Sequence, residues 1–260
     1  MKLAITGKGG VGKTTVSSLL VRLFAAEGSN VIAIDANPDA NLAAAIGISS
    51  DEAESITPIA ELKDLIQERT GASPEGISSF FKVNPKVDDI PERFSVQKDN
   101  IKLLVMGTIK KGGSGCLCPE GSMIKSLLSH LVLSRSDVVI MDMDAGVENL
   151  GRGTAKAVDA FIIVVEPGTR SFQTARAIRK LATDLGVTKS FIIGSKVRNE
   201  NDKKFIAENL PEFEILGFMN FSPEIAEADR LGKSVYDTAP DAVDDVKIIK
   251  SKLEEIVRNK

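Results

Sequence analysis

The chain has 260 residues, 43% of them apolar, and its 33 basic and 36 acidic side chains give a formal charge of −3 and an isoelectric point near 5.5. That size buries a substantial core and suits one large α/β domain, while the acidic balance argues against a generally basic surface for nucleic acid or anionic lipid. Two cysteines are too few for a disulfide framework, no apolar run reaches the roughly 20 residues of a membrane span, and the N-terminus enters a strand with no leader ahead of it. The expectation is a cytoplasmic protein, neither secreted nor in the membrane.

In chain order, an apolar run predicts a strand over 2–6 and apolar spacing predicts a helix over 14–27. Between them Gly7-Lys8-Gly9-Gly10-Val11-Gly12-Lys13-Thr14-Thr15 satisfies G-x-x-x-x-G-K-[ST] in its strand-loop-helix context. Gly9, Gly10, Val11, Gly12, Lys13, Thr14 and Thr15 therefore read as a cradle for a nucleoside triphosphate. Backbone N–H groups close on phosphate, Lys13 reaches the β and γ oxygens, and the Thr14 hydroxyl ligates Mg²⁺. The helix N-terminus adds partial positive charge. Lys8 is surplus to that pattern and cannot easily curl back onto its own phosphate. It is expected to reach a partner subunit's nucleotide across a symmetric interface.

The second predicted strand, 30–35, ends in Asp35-Ala36-Asn37-Pro38-Asp39, an acidic cluster that would place Asp35 near Mg²⁺. A helix is predicted over 59–69. The segment 71–100, with Pro74, Pro85, Pro91 and mixed charge, reads as an irregular insertion carrying a short hairpin within a single domain spanning 1–260. After a strand over 101–106, a glycine-rich run ends in Cys116-Leu117-Cys118, and a helix over 122–133 holds His130, read as structural. The strand over 137–142 ends on Asp142, where a Walker-B carboxylate would hold Mg²⁺ through water. Asp144, Ala145 and Gly146 read as a switch loop whose Gly146 N–H senses the γ-phosphate; an acidic turn capping a strand is the plainer alternative.

Strands over 160–165, 190–195 and 214–218 alternate with helices over 171–185, 202–208 and 223–231. The run from Ser195 to Asn199, with Lys196 and Arg198, is a candidate lid over the base. In the last helix, 242–258, Val243, Val246, Ile249, Leu253, Ile256 and Val257 share a face among mixed charges, which suits docking onto the sheet. The whole pattern predicts an α/β protein, a single-domain mostly parallel sheet with helices on both faces, of the P-loop NTPase class. Ligands in such sheets gather at the strands' carboxyl ends, and Gly7, Asp35, Asp142, Glu166 and Lys196 are placed there, around one crevice.

The loop with Lys8, the Asp35 segment and the Asp142 switch together resemble the deviant Walker-A ATPases of the MinD/ParA/nitrogenase-iron-protein group. Within that group, the runs at 110–118, 152–159 and 196–199 are similar to the carbon monoxide dehydrogenase maturation ATPases of the CooC type, and the resemblance spans nearly the whole chain. It implies an ATPase that forms a homodimer on ATP or metal binding and helps insert nickel into carbon monoxide dehydrogenase. It also implies that the lysine matching Lys8 contacts nucleotide across the dimer, and that the pair matching Cys116 and Cys118 binds Ni²⁺ or Zn²⁺ at the interface. Lys8, Lys13, Asp35, Asn37 and Asp142 then form the catalytic set, with Mg²⁺ held by Thr14 and Asp142.

Two positions depart from that family. Where it reads Asp-x-Asp-Pro, this chain has Asn37, which keeps the shape but loses charge and basicity. The expectation is slow hydrolysis, and Asp39 is a possible substitute. Where the family places an asparagine that reads adenine, this chain has Ser195. One Cys-x-Cys supplies two thiolates where a tetrahedral or square-planar site wants four; two-fold symmetry doubles them. Lys110 and Lys111 would favour thiolate over thiol. Spacing alone leaves a metal pair, a redox pair and two inert thiols all open. Beside the ATPase stand two other readings: an ATP-binding metal switch with little turnover, and a positioning ATPase of the MinD/ParA kind.

Overall fold

The computed structural model describes residues 1–72, 80–108, 118–134, 136–144, 152–187 and 189–258. Eight strands, β1 (Lys2–Gly7), β2 (Val31–Ala36), β3 (Val96–Lys98), β4 (Ile101–Val105), β5 (Val138–Met143), β6 (Ala160–Val165), β7 (Ser190–Val197) and β8 (Glu214–Asn220), form one sheet. Its order is β3-β4-β2-β5-β1-β6-β7-β8. All neighbours run parallel except β3 against β4.

Parallel strands need crossovers, and helices supply them on both faces, so the strands read as nearly continuous apolar runs. Strand β1 is buried along its whole length. Its side chains alternate, with Leu3 and Ile5 in one core and Ala4 in the other. Helices Lys13–Ala26, Pro223–Arg230 and Pro240–Arg258 cover the first face. Helices Lys63–Thr70, Pro119–Ser134, Thr169–Asp184 and Glu200–Asn209 cover the second. The last helix docks Val243, Val246, Ile249 and Leu253 into the first core, as its apolar face predicts.

Three expectations need correction. The helix over 59–69 is a 3₁₀ turn, Ile59–Glu61, and a separate helix, Lys63–Thr70; Leu62 (ψ 70°) breaks it. The Ala60 N–H is drawn off to the Met106 carbonyl at 3.0 Å, which fixes the turn against the end of β4. The hairpin expected within 71–100 pairs β3 with β4, so its second strand lies beyond that segment; Asp99 (φ 53°) makes the left-handed turn. Lys196 lies inside β7 and not past its end, because the β7–β8 register slips between Gly194 and Val197 and the strand continues with Lys196 at φ 55°. Short helices Leu42–Ala45, Ser50–Glu54, Ile90–Phe94, Arg152–Lys156 and Val235–Thr238 were not expected.

Candidate functional site

Gly7 ends β1 with φ 149°, and a β-carbon there would meet the Val164 carbonyl oxygen of neighbouring β6 at 2.4 Å. Only glycine lets the chain turn so tightly out of the sheet. Gly10 (φ 78°) and Gly12 (φ 96°) lie in left-handed conformations, and Gly12 precedes the helix Lys13–Ala26 without any side-chain cap. The helix's first turn also lacks acidic residues. Its N-terminal amides therefore keep the donor capacity that an anion would use. Lys13 is buried beneath the loop, and its ammonium donates to the Lys8 carbonyl oxygen at 3.3 Å.

Behind the loop, β2 and β5 are neighbours and place Asp35 directly beside Asp142. Both carboxylates are fully buried. The Thr14 hydroxyl donates to one oxygen of Asp142 at 2.7 Å and the Ser17 hydroxyl to the other at 3.1 Å. Burial pushes the Asp142 carboxyl up to about 7, with the Asp35 charge adding to the rise and the hydroxyls and Lys13 opposing it. Burial also raises Asp35, against bonds from the Leu42 amide at 2.9 Å and the Asn37 amide at 3.1 Å. Asp35 thus holds the turn that leads into the short helix Leu42–Ala45. The Asn37 side-chain amide bridges the two strand ends, donating to Asp35 at 3.4 Å and to the Asp142 carbonyl at 3.3 Å.

On the other side of β1, Glu166 follows β6 and accepts from Lys8 at 3.2 Å, with the Lys196 ammonium 3.9 Å away. Lys196 also donates to the Gly10 carbonyl, so β7 is fastened to the loop by its left-handed lysine. A cavity of about 590 Å³ opens from the loop, between the helix Leu42–Ala45 on one side and the end of β8 on the other. Ser195 lines it, and its buried hydroxyl has no partner. Arg198 does not line it; its guanidinium lies over the Phe221 ring, 5.2 Å from the centroid, and Phe221 does.

The structure therefore gathers Lys8, Lys13, Thr14, Asp35, Asn37, Asp142 and Lys196 about one crevice, with Gly9, Val11 and Thr15 in the same loop. Sequence reasoning overlooked Ser17, the partnership of Glu166 with Lys8, and the β8 wall of the cavity. Ser17 had a legible signal, one helical turn beyond Thr14 on the same face. The candidate residues Cys116 and Gly146, with Lys110 and Lys111, lie outside the described residues. Cys118 is half-buried ahead of the helix Pro119–Ser134, with its sulfur accepting from the Gly121 amide at 3.3 Å. Among the described residues no three His, Cys, Asp or Glu side chains cluster as a metal site. His130 lies in the helix Pro119–Ser134 with its Nε2 buried and unpartnered.

Residues 2–235 match the CobQ/CobB/MinD/ParA nucleotide binding domain family. The carbon monoxide dehydrogenase accessory protein CooC of Rhodospirillum rubrum is 48% identical over 240 residues, covering 92% of this chain and 91% of that protein. An uncharacterised ATP-binding protein of Methanocaldococcus jannaschii is 46% identical over 238 residues, covering 90% and 91%. Among solved structures, the MinC:MinD cell division protein complex of Aquifex aeolicus matches with a TM-score of 0.69 at 20% identity, covering 98% of this chain and 96% of that one. This last likeness is one of fold.

Proposed function

The chain belongs to the CobQ/CobB/MinD/ParA nucleotide-binding family and, within it, to the carbon monoxide dehydrogenase maturation ATPases of the CooC type, and on that premise we propose that it is a Mg-dependent ATPase whose ATP-driven dimerisation supports nickel binding and insertion into carbon monoxide dehydrogenase. The observation that carries the ATPase reading is the junction of Thr14, Ser17 and buried Asp142 directly beneath an uncapped helix N-terminus. Two buried carboxyls side by side relieve their charge by holding protons until a cation replaces them, and an oxygen-rich set of this kind suits Mg²⁺. Thr14 and Asp142 would hold the ion, which supplies charge neutralisation at the β and γ phosphates when bound.

The chain's own groups account for the rest. The loop amides and the helix N-terminus bind the triphosphate, and Lys13 brings its ammonium from the Lys8 carbonyl to the phosphate oxygens. Asp35 and Asn37 hold the ends of β2 and β5 together, and the family resemblance gives position 37 the role of orienting the attacking water. An asparagine there orients but cannot take the proton, so hydrolysis is slow and the ATP state long-lived. Lys8 leaves Glu166 for the partner's nucleotide as the dimer closes, and closure brings the Cys116 and Cys118 pairs of two subunits together around nickel, the cargo. The geometry of the loop supports binding more directly than turnover, so an ATP-binding metal switch with little hydrolysis is the second reading, favoured by Asn37.

Steady-state turnover of this protein and of Asn37→Asp, each with and without Ni²⁺, tests both. The ATPase reading expects the aspartate variant to be faster by about 10²–10⁴ and nickel to change the rate. Equal rates in the two proteins overturn the role given to Asn37, and absence of turnover in both leaves the switch as the function.

A further inference from the structure

Ser17 and Ser18 follow one another in the helix Lys13–Ala26, both buried, and they use their hydroxyls differently. Ser18 does what a serine inside a helix ordinarily does, donating back to a carbonyl of its own turn, that of Thr15, at 2.9 Å. Ser17 donates instead across to β5, to the Oδ1 oxygen of Asp142 at 3.1 Å. The Thr14 hydroxyl, one turn nearer the loop, donates to the Oδ2 oxygen at 2.7 Å. Two donors three residues apart on one helix face thus grip the two oxygens of a single carboxylate and fix its plane.

The two grips are not equivalent. Thr14 lines the cavity that opens from the phosphate loop, whereas Ser17 is fully buried and does not. A hydroxyl that donates keeps lone pairs for a cation, so the Thr14 side of Asp142 can meet an ion while the Ser17 side is closed off in the core. Neighbouring Asp35 adds no free oxygen. Its Oδ1 accepts from the backbone and side-chain amides of Asn37, and its Oδ2 from the Leu42 amide. The junction therefore presents one carboxylate oxygen, Asp142 Oδ2, beside one hydroxyl. Mg²⁺ is satisfied by so few protein ligands because it keeps several waters and takes phosphate oxygens, whereas Ca²⁺ seeks about six to eight oxygens and often takes both of a carboxylate.

We propose that Ser17 is a positioning residue that sets cation specificity: by occupying Asp142 Oδ1 it makes this carboxylate a one-oxygen partner and selects Mg²⁺ over Ca²⁺ for the loop-bound triphosphate. The proposal rests on the nucleotide reading above and adds to it a residue that touches neither nucleotide nor ion. Without the Ser17 hydroxyl, Oδ1 loses its donor and the carboxylate is free to turn. The single-oxygen presentation that suits Mg²⁺ is then lost, and a two-oxygen one becomes available to Ca²⁺.

Calorimetry of ATP binding in EDTA and at graded Mg²⁺ or Ca²⁺ tests this in the parent and in Ser17→Ala. The parent is expected to need less Mg²⁺ than Ca²⁺ for half-maximal binding. Ser17→Ala should raise the Mg²⁺ requirement at least about tenfold and leave the Ca²⁺ requirement unchanged or lower, with affinity in EDTA that of the parent. Ser17→Cys, which fills nearly the same space with a weak donor, should narrow the preference in the same direction and serves if the alanine variant does not fold. A serine that only supports the fold would affect both cations alike. Equal loss with both, or an unchanged Mg²⁺ requirement, overturns the role of Ser17 and leaves the nucleotide reading intact. ATP binding by the parent that is indifferent to either cation overturns the cation site and this role with it, and a parent that binds no ATP in any condition overturns the nucleotide reading itself.

Discussion

Asp142 and Asp35 lie side by side on neighbouring strands, both cut off from water, and their protonation couples the site to stability. A carboxyl at about 7 in the fold and 3.8 in the unfolded chain keeps its proton through that interval only while folded. The fold then binds more protons than the unfolded chain, so stability falls as pH rises from about 4 to about 7 and levels off above. The raised Asp35 acts in the same direction. In the protein alone, thermal melting should drop across that window, and Asp142→Asn should melt about 5 °C or more above the parent at pH 8 while losing Mg-dependent ATP binding. A variant that melts with the parent at pH 8 contradicts the burial cost assigned to this carboxylate. Lys8 gives a second residue-scale prediction. Its contact with Glu166 is partly exposed, and such pairs contribute only about 0.2–1 kcal/mol, so Glu166→Gln should lower the ATP concentration needed for dimer formation by at most about fivefold per protomer. Sedimentation at a series of ATP concentrations reads this directly, and a higher requirement would count against the release of Lys8.

At the scale of elements, the strand-loop-helix unit was legible because its glycines obey backbone geometry. Gly7→Ala should destabilise the fold by about 2 kcal/mol or more in urea unfolding, since its β-carbon would meet Val164 at 2.4 Å. Gly9→Ala should leave stability unchanged, because nothing lies within 4 Å of its β-carbon and its φ is ordinary. Every strand read from apolar runs is present, since buried parallel strands are continuously apolar. The short β3 was not read as a strand of its own, being three residues and paired only through a left-handed turn at Asp99. The helix Ser50–Glu54 was missed although Ser49 and Glu52 form a reciprocal capping box, a sequence signal that was there to be read. The β8 wall of the cavity was not legible at all. Phe221 lies 26 positions from Ser195 and reaches the site only through the pairing of β7 with β8, which local sequence does not announce. Asn37 was read for its missing charge, whereas its amide also acts as a donor joining two strand ends.

For the whole molecule, the sheet order sets β1 between β5 and β6, so Lys8 rises from the centre of the sheet with Asp142 on one flank and Glu166 on the other. In the proposed dimer this lysine would face the partner's nucleotide across a two-fold axis. No helix among the described residues is long and apolar enough to cross a membrane. In the proposed cycle ATP closes a dimer and the closed dimer takes up metal. Size-exclusion chromatography with metal analysis of the eluted peak, run with and without Mg·ATP and with and without Ni²⁺, tests this cycle. The expected result is a monomer when neither is added, a dimer with ATP, and a dimer carrying about one nickel per two chains when both are present. A monomer under all four conditions, with ATP bound and no nickel in the peak, would contradict it.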